Sequence, residues 1–224
     1  MEVLPGIHRI PRIKGPNAYL LEGEDLTLID TGWPGNAPTI LSYIRALGWQ
    51  TDQLARILIT HGHPDHTGSA RFLREETGAR VLAHAADTQR DRTGVPVVRH
   101  VGMLFMPLPS VWRVSVDMAL VDGDSLPVMG GLRVVHAPGH TPGSICFYLE
   151  DSNTPFHWRP HQPARPLCLA AGLYTWNGLQ GFERIAAACG RHATRPRMPL
   201  PWEPGTARGL ENNQERRPLA FGIA

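Results

Sequence analysis

Cysteine is scarce in this chain. Cys146, Cys168 and Cys189 are odd in number and widely spaced, which excludes a disulfide framework and a cysteine zinc motif. A reducing cytoplasm is therefore the expected compartment. Long apolar runs are also missing. No stretch is long enough to span a bilayer, and no apolar h-region follows Met1, so neither a membrane nor a secretory route is expected. The formal net charge is only +2. That is too little for a nucleic-acid surface or a trap for acidic substrates. Lysine is absent beyond residue 150. Residues 1–150 hold 13 Lys+Arg against 15 Asp+Glu, whereas residues 151–224 hold nine arginines against five acidic residues. The composition thus changes near Asp151, dividing a globular domain, 1–150, from an aberrant tail, 151–224.

What is present is concentrated in one stretch, Thr60-His61-Gly62-His63-Pro64-Asp65-His66-Thr67-Gly68. Four metal-ligand side chains fall within six residues. They follow Ile57-Leu58-Ile59, a short β-branched and aliphatic run that reads as a buried strand. The ligands then sit on the loop at the carboxyl end of that strand, where open α/β sheets gather their ligands. His61 and His63 are two apart, so on a turning loop both imidazoles reach one ion. Asp65 and His66 lie just beyond and reach a second. Imidazole nitrogen and carboxylate oxygen suit zinc, and also iron or manganese. Pro64 stiffens the loop, and Gly68 lets the chain turn closely into a helix over 69–77.

The remaining pattern alternates strands and helices. Ile7–Ile10, Asn17–Glu22 and Leu26–Ile29 read as strands, the last two joined by a hairpin turn at 22–25 and ending in Asp30-Thr31-Gly32. Asn36 is placed to cap a helix running to Leu47, with Leu41, Ile44 and Leu47 on its buried face and Gly48 stopping it. Ala55–Thr60 delivers the histidine loop, and Val81–Ala83 is a short parallel strand after the second helix. This alternation argues for α/β layers. Residues 95–111 are apolar but broken by Pro96, Pro107 and Pro109. They read either as a loop packed on the core or as an apolar flap over the metals. Met118–Val121, Leu126–Val128, Leu132–His136 and Ser144–Leu149 complete the strands, with Cys146 as a small buried apolar side chain. His84 reads as structural or as support to the site, and His100 has no assigned role.

The His61–Gly68 stretch is similar to the signature of the metallo-β-lactamase superfamily, and His136-Ala137-Pro138-Gly139-His140-Thr141-Pro142-Gly143-Ser144 is a second match. The resemblance covers about residues 3 to 150. It implies an α/β fold, the αββα metallo-β-lactamase sandwich, and a glyoxalase II-like hydrolase with two zinc ions. It assigns His61, His63 and His140 to the first metal, and Asp65 and His66 to the second. It makes Asp30 a carboxylate that orients the metal loop. It further implies a small-molecule substrate as partner, whose thioester, lactone or other ester carbonyl a metal-activated water attacks, with Asp65 orienting that water or accepting its proton.

The resemblance stops short of two ligands. The family keeps a bridging aspartate in a motif such as L-F-T-G-D, and a final histidine in an H-G pair. Neither follows Asp151, and His157, His161 and His192 align with nothing. The tail reads instead as a shifted frame. Tryptophan has one codon, so a reading that starts at its second base must begin with two guanines and yield glycine. Dropping one base from the Pro155 codon lets Pro155–Pro160 read L-F-T-G-D, with the glycine forced by Trp158. In the same frame Arg197–Glu203 permits C-P-S-H-G-N, with Trp202 forcing the glycine. Without those ligands one tight metal site or none is expected, with activity impaired. The other reading is a non-catalytic remnant. A helix over Gln180–Cys189 is the only regular element expected in the tail.

Overall fold

The computed structural model describes residues 1–91, 93–98, 113–149 and 154–156. The larger sheet has seven strands: β1 (Glu2–Leu4), β2 (Ile7–Arg9), β3 (Tyr19–Glu22), β4 (Leu26–Ile29), β5 (Leu54–Ile59), β6 (Arg80–His84) and β9 (Met118–Leu120), in that spatial order. The first four pair antiparallel in chain order. From β4 onward the pairings are parallel. Two of these parallel strands are reached through helices, α1 (Ala37–Ala46) before β5, and α2 (Pro64–Thr67) with α3 (Ala70–Thr77) before β6. The smaller sheet runs β10 (Ser125–Leu126), β11 (Leu132–His136), β12 (Ile145–Leu149) and β13 (Thr154–Phe156), all antiparallel. A hairpin of β7 (Thr88–Arg90) and β8 (Pro96–Val98) stands apart from both sheets.

Two-residue periodicity sorts the core into two layers. Leu28, Ile57, Ile59, Val81 and Ala83 face α1 and α3, meeting Ile40, Leu41, Ile44 and Leu73. The alternate residues Ile29, Leu58 and Leu82 face the smaller sheet and meet Leu132, Val134, Ile145 and Phe147. Each such fully buried side chain contributes about 1.5–3 kcal/mol of transfer free energy. Helices, sheet and sheet therefore stack as three layers of the expected sandwich. The fourth, helical layer, the helix expected at Gln180–Cys189, residues 99–111 of the apolar segment and the tail from 157 lie outside the described residues.

Several boundaries differ from the sequence reading, for physical reasons. Asn36 precedes α1 as expected but makes no capping bond. Its amide instead binds the backbone of Lys14, Thr31 and Trp33, pinning two loops beside the site. Leu47 is only partly buried, and Ala37 and Ile40 join Leu41 and Ile44 on the buried face. The loop expected after His63 contains the short helix α2, with Pro64 at its first turn, where a missing N–H costs nothing. Strands β1, β7, β8 and β13, three residues each, were not expected; β13 falls within the stretch read as an aberrant tail, yet it pairs with β12. Cys146 is buried, as expected.

Gly68 serves close approach rather than unusual dihedrals. Its φ is −60°, but a Cβ there would strike the backbone and ring of Pro34 well inside contact distance. Gly68→Ala is expected to lower stability by about 1–3 kcal/mol through overpacking; equilibrium urea unfolding reads it as a lower midpoint.

An ion pair clamps α3 to the sheet. Arg74 donates to Asp117 through Nε at 3.1 Å and Nη2 at 2.7 Å, and Asp117 also accepts the Val81 N–H at 2.8 Å. The Arg74 hydrogen bonds are the main cause holding the Asp117 carboxyl below its ordinary range. A depressed carboxylate contributes stability that is present above its unfolded value of about 3.9 and is lost as pH falls through the lower folded value. Asp117→Asn is expected to cost about 1 kcal/mol at neutral pH, allowing for solvent screening of a partly exposed pair. Unfolding followed against pH should show the gap between the two proteins closing below a pH of about 3.9.

Candidate metal centre

The carboxyl ends of β4, β5 and β6 lie side by side, and each carries an acidic or imidazole group. Asp30 follows β4 directly, His61, His63, Asp65 and His66 follow β5, and Asp87 ends a short 3-10 turn after β6. His140 arrives from the other sheet, on the loop joining β11 to β12. The Ile145 N–H of β12 donates to the Thr60 carbonyl at 2.9 Å, which ties the roots of the two histidine-bearing loops together.

The structure brings His61, His63 and His140 to one point. Their ligand atoms all lie within 4.8 Å of one another. Ring centroids are 4.8 Å apart for His61–His63, 4.7 Å for His61–His140 and 4.4 Å for His63–His140. His66 lies beside them, its ring 3.9 Å from that of His61. His66 Nε2 is 3.8 Å from Asp65 Oδ2, so these two donors stand next to each other at the edge of the cluster. Among the described residues, only His61, His63 and His140 form a group of three or more donors suited to one ion.

Hydrogen-bond accounting assigns the ring tautomers. Asp30 sits in left-handed backbone, φ +57°, a conformation aspartate tolerates better than most residues, and this turns its carboxylate toward the histidine loop. It accepts Thr60 N–H at 2.9 Å, Thr60 Oγ1–H at 2.7 Å and His66 Nδ1–H at 2.7 Å. Thr60 has thereby given its only hydroxyl proton to Asp30. Its oxygen, 3.2 Å from His61 Nδ1, must accept a proton from that ring. Both His61 and His66 are then protonated on Nδ1, leaving Nε2 as the basic nitrogen of each.

Electrostatics favour neutral rings. Burial, and then the neighbouring His66, His63 and His140, push the His61 pKa well below its ordinary value. Burial first, then His63 and His66, push His140 down to about 4, against smaller opposing effects of Asp65 and Asp87. At neutral pH His61 and His140 are therefore uncharged nitrogen donors, the form in which imidazole binds a metal. Three imidazoles at this spacing, His61, His63 and His140, fit the donor set of a zinc-type cation.

His84, expected as structural or supporting, stays out of the cluster. Its Nδ1 accepts the Ala86 N–H, and its ring stacks on His136 at 4.0 Å. Three supports were missed in the sequence reading. His136 donates Nε2–H to the Pro142 carbonyl at 2.8 Å, bracing the His140 loop. Thr60 links Asp30 to His61. Asp87, buried, bonds both histidine-bearing loops, at Gly62 and at Thr141 and Gly143. The available signal for Asp87 was position: like Asp30, it is an acidic residue just past the end of a parallel strand. His100, His157, His161 and His192 lie outside the described residues.

Comparison with known proteins agrees with this architecture. The model of the metallo-beta-lactamase superfamily matches residues 12–156, and the chain belongs to that superfamily. A hydroxyacylglutathione hydrolase of Pseudomonas savastanoi pv. phaseolicola is 37% identical over 157 residues, covering 66% of this chain and 48% of that protein. A hydroxyacylglutathione hydrolase of Rhodospirillum rubrum is 27% identical, covering 67% of this chain and 49% of that protein. The chain thus spans about half the length of these curated relatives. Among solved structures, a metallo-beta-lactamase family protein from Thermus thermophilus superposes with a TM-score of 0.58 at 28% identity, covering 84% of this chain and 70% of that one. A metallo-beta-lactamase of Cronobacter sakazakii reaches 0.59 at 24% identity, covering 84% and 74%, and shows the shared fold alone. No helix among the described residues is long and apolar enough to cross a membrane.

Proposed function

We propose that this chain is the metal-binding part of a thioester or lactone hydrolase, holding one cation tightly through His61, His63 and His140. The observation that carries the reading is the convergence of those three imidazoles from two loops on different sheets, within 4.8 Å. The name hydroxyacylglutathione hydrolase, carried by relatives up to 37% identical, describes cleavage of an acyl–thiol ester and favours that substrate class. Zinc is the leading cation, with iron or manganese as alternatives.

A cation bound there supplies Lewis acidity, lowering the pKa of a water to about 7 and favouring negative charge on a carbonyl oxygen. The chain's own groups do the rest. Asp30 and Thr60 hold His66 and His61 in the tautomers that turn Nε2 toward the centre. The Asp65 carboxylate, beside His66 Nε2, accepts the proton of the attacking water. Asp65 and His66 also make half a second metal site. With two donors and no bridging carboxylate on the described residues, that site binds weakly.

The family match ends at residue 156 although the chain runs on to 224. That limit falls one residue beyond Pro155, where the codon argument places the change of frame. It supports a domain organisation of 1–150 followed by a tail, 151–224, that no longer supplies the bridging aspartate and last histidine. It also favours the second reading, a remnant that binds one metal without turnover. Thiol release from an acyl-glutathione by the zinc-loaded chain separates the two. Release abolished by chelator supports the hydrolase, and no release with zinc bound supports the remnant.

A further inference from the structure

Asp87 is outside the ligand set, yet it joins both loops that carry it. Its side chain is 1% exposed. Oδ2 accepts the Gly62 N–H at 2.9 Å and the Thr141 Oγ1–H at 2.6 Å, and Oδ1 accepts the Gly143 N–H at 2.7 Å. Gly62 lies between His61 and His63. Thr141 follows His140. One carboxylate from a third loop therefore bonds a residue next to every imidazole of the cluster.

The donors around it are themselves fixed. Ser144 Oγ accepts the Thr141 N–H at 3.0 Å and lies 2.9 Å from Thr141 Oγ1. The Thr141 proton goes to Asp87, so Ser144 donates its own proton to Thr141. Each hydroxyl proton in the chain has one destination, and all point toward the carboxylate. Gly143 is glycine because Asp87 is so close: a Cβ there would lie 2.5–2.7 Å from the Asp87 nitrogen, Cγ and Cβ.

We infer that Asp87 is a positioning residue for the metal centre, setting the separation of His140 from His61 and His63 by holding both loops on one buried carboxylate. The inference rests on the proposed metal reading. A ligand trio drawn from two sheets has no covalent constraint on its spacing. Hydrogen bonds one step behind the ligands supply that constraint, and losing such partners commonly weakens metal affinity about 10–100-fold. Asparagine at this position keeps the shape but presents an amide donor to a set of three donors, so it fails on one side.

The test is titration of the full chain with Co(II) against a competing chelator, following the visible absorption of the bound ion. Asp87→Asn and Asp87→Ala are expected to bind about 10–100-fold more weakly than the parent and with an altered Co(II) spectrum. Thr141→Val, which removes one donor and leaves the carboxylate, is expected to weaken binding by a smaller factor and covers the case in which the Asp87 variants do not fold. Asp117→Asn is the control: it lowers stability at a place remote from the histidines and is expected to leave affinity and spectrum unchanged. Parental affinity and spectrum in the folded Asp87 variants, or in Thr141→Val if they do not fold, overturn the inference. So does an equal loss in Asp117→Asn. A parent chain that binds no Co(II) overturns the metal reading and this inference with it.

Discussion

Removal of one base from the Pro155 codon is expected to give a product that holds two metal equivalents and hydrolyses a thioester. The described residues supply three imidazoles for one ion and only the Asp65–His66 pair, 3.8 Å apart, for another. The restored frame permits an aspartate within the reading of Pro155–Pro160 and a histidine within that of Arg197–Glu203. Those two ligands would complete the second position and bridge it to the first. The gain in kcat is expected to be on the order of 10²–10³-fold, the scale set by adding one stabiliser of developing oxyanion charge. Metal content by mass spectrometry and thiol release from an acyl-glutathione, measured on both products, decide it. Two unchanged products, with the same metal content and the same rate, would remove the frame argument. Sequencing the gene across the codon tests its premise at the least effort.

The second large effect is expected at His63. Replacing it by alanine leaves two imidazoles, His61 and His140, on opposite loops. Zinc sites use three or four protein ligands, and their loss exceeds the cost of losing an outer partner. His63→Ala is therefore expected to weaken zinc binding by more than about 100-fold. Because His63 is partly exposed and its removal leaves the cores intact, the variant should remain folded. Zinc content after dialysis reads the effect, and content equal to the parent's would take His63 out of the ligand set.

The candidate donors were legible because their signal is local. His61, His63, Asp65 and His66 sit within six residues, after a strand whose period and composition are plain. His140 was legible through its own short motif, and Asp30 through its place after β4. Asp87 was not, because its three partners lie 25, 54 and 56 residues away, and no local spacing encodes such a contact. The same holds for Asn36. Its position before a helix suggested a cap, but tertiary contacts with Lys14 and Trp33 outcompeted the local bond. Strands β4 to β6 were read within a residue or two, since burial on both faces leaves short apolar runs such as Ile57-Leu58-Ile59 and Val81-Leu82-Ala83. Strands β1 and β7 are too short to show a period. The helix α2 was read as loop because four residues containing three metal-ligand or turn formers carry no helical pattern.

Equilibrium titration of the purified parent chain with zinc, against a chelator of known affinity, bears most directly on the claim that three imidazoles form one metal centre. One tight equivalent per chain is the expected result. No tight equivalent would show that the rings converge without binding, and two would show that the second position is already complete.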